Sequence, residues 1–125
     1  MILDTNALSA VADNVSAVVQ VFVSVDTVEL PVIVLGEYRF GIAQSLRREN
    51  YEQWLTKLIA SSRVLDINEQ TSRHYAHVRV ELKKVGRPIP SNDLWIAALS
   101  RQHSLPILSR DHHFDGISGV TRISW

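Results

Sequence analysis

RVLDINEQTSRHYAHVRVELKKVG, residues Arg63–Gly86, is the stretch that decides the fold class. It opens with a short apolar run, Val64, Leu65 and Ile67, of the length of a buried strand. Asn68 then offers a side-chain oxygen to cap a helix. From there Tyr75, Val78, Leu82 and Val85 recur at steps of three and four, which lays one apolar stripe along a helix. Gly86 stands where a helix C-terminus takes a left-handed residue, and Pro88 and Pro90 bar continuation. A strand feeding a helix in this way is half of the repeating unit of a parallel sheet covered by helices.

The same alternation extends in both directions. Met1–Leu3, Thr27–Leu30, Arg63–Ile67, Pro106–Leu108 and Val120–Ile123 read as strands, each short and rich in Val, Ile or Leu. A helix runs from about Pro31 to Gly41 with Val32, Leu35 and Tyr38 on it, and another from Glu49 to Ser61. Ser91 or Asn92 caps a further helix that turns Trp95, Ile96, Ala98 and Leu99 inward. The expected architecture is α/β: one domain over residues 1–125, a three-layer α/β/α sandwich with a mostly parallel central sheet of about five short strands. The segment carrying Val18, Val19, Val21, Phe22, Val23 and Val25 is more apolar than one helix face requires, which fits burial by a second chain or a doubly covered core helix.

Bulk properties narrow the classes. The chain has 125 residues, 46% of them hydrophobic, enough to build a core rather than stay disordered. Having no cysteine, it has neither disulfides nor thiolate metal sites. The opening Met1-Ile2-Leu3-Asp4 lacks the basic and apolar regions of a signal peptide, and no apolar run reaches membrane-spanning length. A soluble, cytoplasmic protein is expected, with no membrane partner. The formal net charge is zero, so any contact with nucleic acid must come from how charge is distributed, not from its sum.

Four acids fall at informative places. Asp4 directly follows the first strand, and Asp111 follows Pro106–Leu108 after two polar residues. Open parallel sheets bind ligands beyond the carboxyl ends of their strands, where strand order reverses. Asp93 lies in the first turn of its helix and Glu37 in the helix after the second strand, so all four can meet on one rim. Taken singly, each has a plain structural role: a helix cap for Asp4, a dipole partner for Asp93, a solvated face for Glu37, an Asx turn for Asp111. Together they repel one another unless a hard divalent cation joins them, and Mg²⁺ or Mn²⁺ prefers such oxygen ligands.

Four segments then occur in a recognisable order across almost the whole chain: Ile2-Leu3-Asp4-Thr5-Asn6, Glu37-Tyr38-Arg39-Phe40-Gly41, Asp93-Leu94-Trp95-Ile96-Ala97-Ala98 and Leu108-Ser109-Arg110-Asp111-His112-His113-Phe114. This set resembles the signature of PIN-domain ribonucleases. The length, and Gly86-Arg87-Pro88-Ile89-Pro90 ahead of Asp93, resemble the VapC branch, the toxins of type II toxin–antitoxin pairs. The resemblance implies a PIN-like fold in which Asp4, Glu37, Asp93 and Asp111 hold Mg²⁺ or Mn²⁺, with Asp115 sharing or replacing the role of Asp111. It implies that Thr5 or Asn6, and Ser109, support the acids, and that a metal-activated water hydrolyses RNA to leave a 5′-phosphate and a 3′-hydroxyl. It also implies a cognate VapB-like antitoxin bound along the early helices, and a homodimer.

Other residues admit two readings. Arg39 and Arg110 flank the acids, to grip phosphate or to pair with a carboxylate. The clusters Arg47-Arg48 and Lys83-Lys84-Val85-Gly86-Arg87 read as solvated helix faces, with substrate contact as the alternative. His112 and His113 read as exposed turn residues, as do His74 and His77 on their helix, and Trp54 and Trp95 as core or a subunit contact. A haloacid-dehalogenase-type phosphatase needs a second Asp where Asn6 stands, and a response-regulator receiver needs a Lys after Pro106–Leu108. The remaining rival is a PIN-like module that binds RNA or protein without cutting; loss of one acid would mark it, and all four are present.

Overall fold

The computed structural model describes all 125 residues. In chain order the elements are β1 (Ile2–Leu3), α1 (Thr5–Ala12), α2 (Ser16–Val23), β2 (Glu29–Pro31), α3 (Val32–Ile42), α4 (Arg48–Ala60), β3 (Arg63–Leu65), α5 (Glu69–Lys84), α6 (Ser91–His103), β4 (Ile107–Leu108), a 3₁₀ turn (His112–Phe114) and β5 (Arg122–Ile123). The five strands form one sheet in the order β3-β2-β1-β4-β5, and every pairing is parallel. The chain fills one side of β1 with β2 and β3, then crosses to fill the other with β4 and β5. The strand order therefore reverses between β1 and β4, whose register pairs Ile2 with Ile107 and Leu3 with Leu108.

The strands are short because only two or three residues of each lie between helices on both faces. Ile2, Leu3, Leu30, Ile107 and Leu108 are completely buried, as parallel strands covered on both sides must be. Helix α6 buries Leu94, Ile96, Ala97, Ala98 and Leu99. Its C-terminus closes on Ser104 in the left-handed region. Helix α5 packs along α6, burying Val78 and Leu82. No single helix is long and apolar enough to cross a membrane.

Local details differ from the sequence reading for identifiable reasons. The apolar stripe of α5 stops at Leu82: Val85 is the cap residue beyond the last turn and is 66% exposed. Asn68 does cap α5, in a reciprocal box with Thr71, and Gly86 follows at φ 69°. Neither Ser91 nor Asn92 caps α6. Pro90 occupies the cap position without a side-chain bond, and both polar residues lie inside the first turn. Trp95 is only partly buried and stacks on Tyr75 at 4.0 Å between centroids, leaving Leu94 and Ala97 to fill the core. Pro31 ends β2 and α3 begins one residue later. Helix α1 offers only Ala7, Leu8 and Val11 to the core, too short a stripe to mark it in the sequence. Helix α2 has one buried residue, Val18, while Val23 is 69% exposed.

Candidate metal centre

Asp4 ends β1 and caps α1, its Oδ1 accepting the Thr5 backbone N–H at 2.8 Å. Its Oδ2 accepts from the Ser109 hydroxyl at 2.6 Å and from the Asn6 amide at 2.9 Å. Ser109, at the tip of β4, is itself fully buried; its Oγ accepts from the Asn6 amide at 3.1 Å and from the Asp111 N–H at 2.9 Å. Asn6 in turn accepts the Arg110 N–H through Oδ1 at 3.1 Å. Two polar side chains thus staple the tips of β1 and β4 together at the point of strand reversal, and they fix the direction of the Asp4 carboxylate. Burial pushes the Asp4 pKa up; bonds from Ser109 and Thr5 counter this, and the nearby charges of Glu37 and Asp111 add to it.

Asp111 caps the 3₁₀ turn by accepting the His113 N–H at 2.9 Å. That turn swings the His113 ring back across the rim: Nδ1 lies 2.7 Å from Asp93 Oδ2 and 3.0 Å from Asp111 Oδ1. One ligand atom from each of Asp93, Asp111 and His113 lies within 4.8 Å of the others. Burial raises the Asp93 pKa, the His113 bond opposes this, and the charges of Asp111 and Asp4 raise it further. The bond to Asp93 raises the His113 pKa.

Glu37 reaches the same rim from α3. Its Oε2 accepts the Thr5 hydroxyl at 2.5 Å, and its Oε1 accepts the amide of Asn92. Asn92 sits next to Asp93 at the start of α6, so one side chain ties α3 to α6 beside the acids. None of the eight ion pairs joins an Arg or Lys to Asp4, Glu37, Asp93 or Asp111. Four carboxylates and one imidazole without a neutralising guanidinium or ammonium are a donor set suited to a divalent cation.

The other expected residues point elsewhere. Asp115 is held by the Arg122 guanidinium at 2.7 and 3.0 Å and by His112 Nδ1 at 2.8 Å, which pulls its pKa down to about 2. Arg39 faces Glu52 at 3.9 Å. Arg110 lays its guanidinium over the Trp125 ring, 4.8 Å from the centroid. His113, Asn92 and Arg122 are the participants that sequence spacing did not mark. His113 shows only a step of two from Asp111, and Asn92 has the appearance of a helix cap until Pro90 is seen to take that position.

A family model described as PIN domain matches residues 1–120. The chain is 30% identical over 100 residues to "Ribonuclease VapC5" of Mycobacterium tuberculosis, an alignment covering 78% of this chain and 74% of that protein. Among solved structures it is similar to DNA-bound VapBC from Salmonella typhimurium, at a TM-score of 0.87 and 25% identity over 99% of this chain and 96% of the other. It is likewise similar to FitAcB from Neisseria gonorrhoeae, at a TM-score of 0.83 and 28% identity over 98% and 95% of the two chains.

Proposed function

This chain belongs to the PIN-domain family, in its VapC-type branch, and from that membership we propose that it is a metal-dependent endoribonuclease serving as the toxin of a toxin–antitoxin pair. The observation that carries the reading is the meeting of Asp4, Glu37, Asp93 and Asp111 at the strand reversal with no Arg or Lys ion-paired to any of them. Mg²⁺ or Mn²⁺ is the cofactor, held by Asp4, Asp93 and Asp111, with Glu37 binding directly or through water. When bound, such an ion supplies Lewis acidity toward a phosphodiester and lowers the pKa of a coordinated water.

The chain's own residues prepare that site. Ser109 and Asn6 hold Asp4 in a single orientation, while Thr5 and Asn92 hold Glu37. His113 keeps a proton at Nδ1 between Asp93 and Asp111, which relieves their repulsion before a cation arrives. Arg110, exposed beside Asp111, comes within reach of a bound phosphate by leaving the Trp125 ring, and Arg39 by leaving Glu52. Asp115, already neutralised by Arg122, takes no part in the quartet. The products are a 5′-phosphate and a 3′-hydroxyl.

Of the two solved relatives above, the VapBC assembly is bound to DNA, and its make-up supports a VapB-like antitoxin as the partner of this chain. A homodimer and a cytoplasmic setting belong to the same reading. The test is Asp4→Asn. The amide still caps α1, so the fold, followed by circular dichroism, persists while RNA cleavage falls about 100-fold or more. Wild-type cleavage by the folded variant would overturn the assignment and leave a non-catalytic binding module in its place.

A further inference from the structure

The acidic rim repels a polyanion everywhere except at its cation, so a substrate strand needs a separate positive surface to hold it. One groove, of about 420 Å³, runs between the C-terminal half of α5 and the start of α6. Its floor is apolar, from Leu82, Ile89 and Leu94, and Arg79 and Lys83 line it one helical turn apart. Both are exposed and neither forms an ion pair, whereas Glu81, on another face of α5, is taken up by Arg101. Lys84 and Arg87 extend the positive charge beyond the groove, also without a carboxylate partner.

Two further features give the groove a direction. Ser91 lines it, and the next two residues of α6 are Asn92, which binds Glu37, and Asp93. Groove and acidic rim thus share the first turn of α6: Ser91 and Leu94 face the groove, and Asp93 faces His113 and the rim. Beside it stands the Tyr75–Trp95 stack, partly exposed, with the Arg79 guanidinium 5.9 Å from the Tyr75 centroid and donating to its hydroxyl at 2.9 Å. An apolar floor, a paired-cation wall and an aromatic–arginine edge are what a single nucleic-acid strand uses: bases on apolar and aromatic surface, phosphates on the cations.

We propose that the α5–α6 groove binds the RNA strand flanking the scissile phosphate, with Arg79 and Lys83 holding backbone phosphates and Tyr75–Trp95 offering a stacking edge. This rests on the ribonuclease reading above for the identity of the strand. Arg79 and Lys83 are binding residues and leave the chemical step untouched.

The experiment follows fluorescence anisotropy of a fluorescein-labelled, mixed-sequence single-stranded RNA across a KCl series with EDTA present, so that nothing is cleaved. Arg79→Gln/Lys83→Gln is expected to weaken binding about tenfold and to reduce the salt slope by about 1.4, two phosphate contacts at about 0.7 each. The control Lys57→Gln/Arg63→Gln removes the same charge at the opposite end of the sheet and is expected to stay within about twofold of wild type. In Mn²⁺, the groove variant should raise the half-saturating RNA concentration while keeping the rate at saturation. Equal binding by wild type and groove variant, or equal loss in the control, would overturn the proposal. So would unchanged RNA binding together with a dimer-to-monomer shift in sedimentation velocity, which would assign the groove to a second copy of the chain. Groove-dependent binding by a wild type that never cleaves RNA would contradict the ribonuclease reading while upholding the groove.

Discussion

Ser109 ties three residues of the acidic rim together through a single atom. Its one hydroxyl donates to Asp4 and accepts from both Asn6 and the Asp111 backbone. Ser109→Ala leaves a buried carboxylate short of its closest partner, which should cost about 2 kcal/mol in urea denaturation. Cleavage should fall about tenfold, as it does when a residue orienting a metal ligand is removed. A variant with unchanged stability and rate would show that the staple does not orient Asp4. The convergence of the four acids on one rim was legible, because Asp4 directly follows an apolar strand, Asp111 follows another after two polar residues, and Asp93 lies in the first turn of a helix. His113 was not, since its role depends on a single 3₁₀ turn that folds the ring back onto Asp93. Nor was the fate of Asp115, which is decided by Arg122, seven residues away on β5.

Among the elements, α5 and α6 set the geometry at both ends of the molecule. Asn68 caps α5, and its Oδ1 also receives the Gln102 amide from the last turn of α6, while Thr71 donates to Gln102 Oε1. This junction joins the helices at the end away from Asp93. Asn68→Ala should therefore destabilise by about 1 kcal/mol and lower Tm by about 4 °C. RNA cleavage at moderate temperature should stay within about twofold of wild type, because nothing at the acidic rim loses a bond. A large loss of activity at full folding would mean that α6 transmits strain to Asp93. The strand–helix alternation was readable because β1 and β4 are wholly apolar and α5 has a clear cap and stop. Helix boundaries were less so: Val85 fits the periodicity yet lies past the last turn, and Pro90 takes over the start of α6 from the two polar residues that follow it.

Across the whole molecule, a net charge of zero conceals a division: carboxylates at the strand reversal, unpaired cations at the end of α5. The division makes stability depend on pH and metal together. Asp4 and Asp93 have raised pKa values, mainly through burial, so the folded chain keeps protons that the unfolded chain has released. Their contribution weakens as pH rises from the ordinary 3.8 through the raised values. His113, also raised, stabilises fully below 6.5 and loses that contribution as pH climbs through its folded pKa. A divalent cation competes with these protons, so the rise in Tm on adding Mn²⁺ should be larger near about pH 8 than near about pH 5. A Tm indifferent to Mn²⁺ at both would contradict a cation bound among these acids. The most direct test of the central claim is cleavage of a structured RNA pool by wild type and Asp93→Asn in Mg²⁺, in Mn²⁺ and with chelator. Cutting by wild type alone is expected, abolished by chelator and restored by adding the cation back. Cleavage that persists in chelator, or that Asp93→Asn performs as well as wild type, would contradict it.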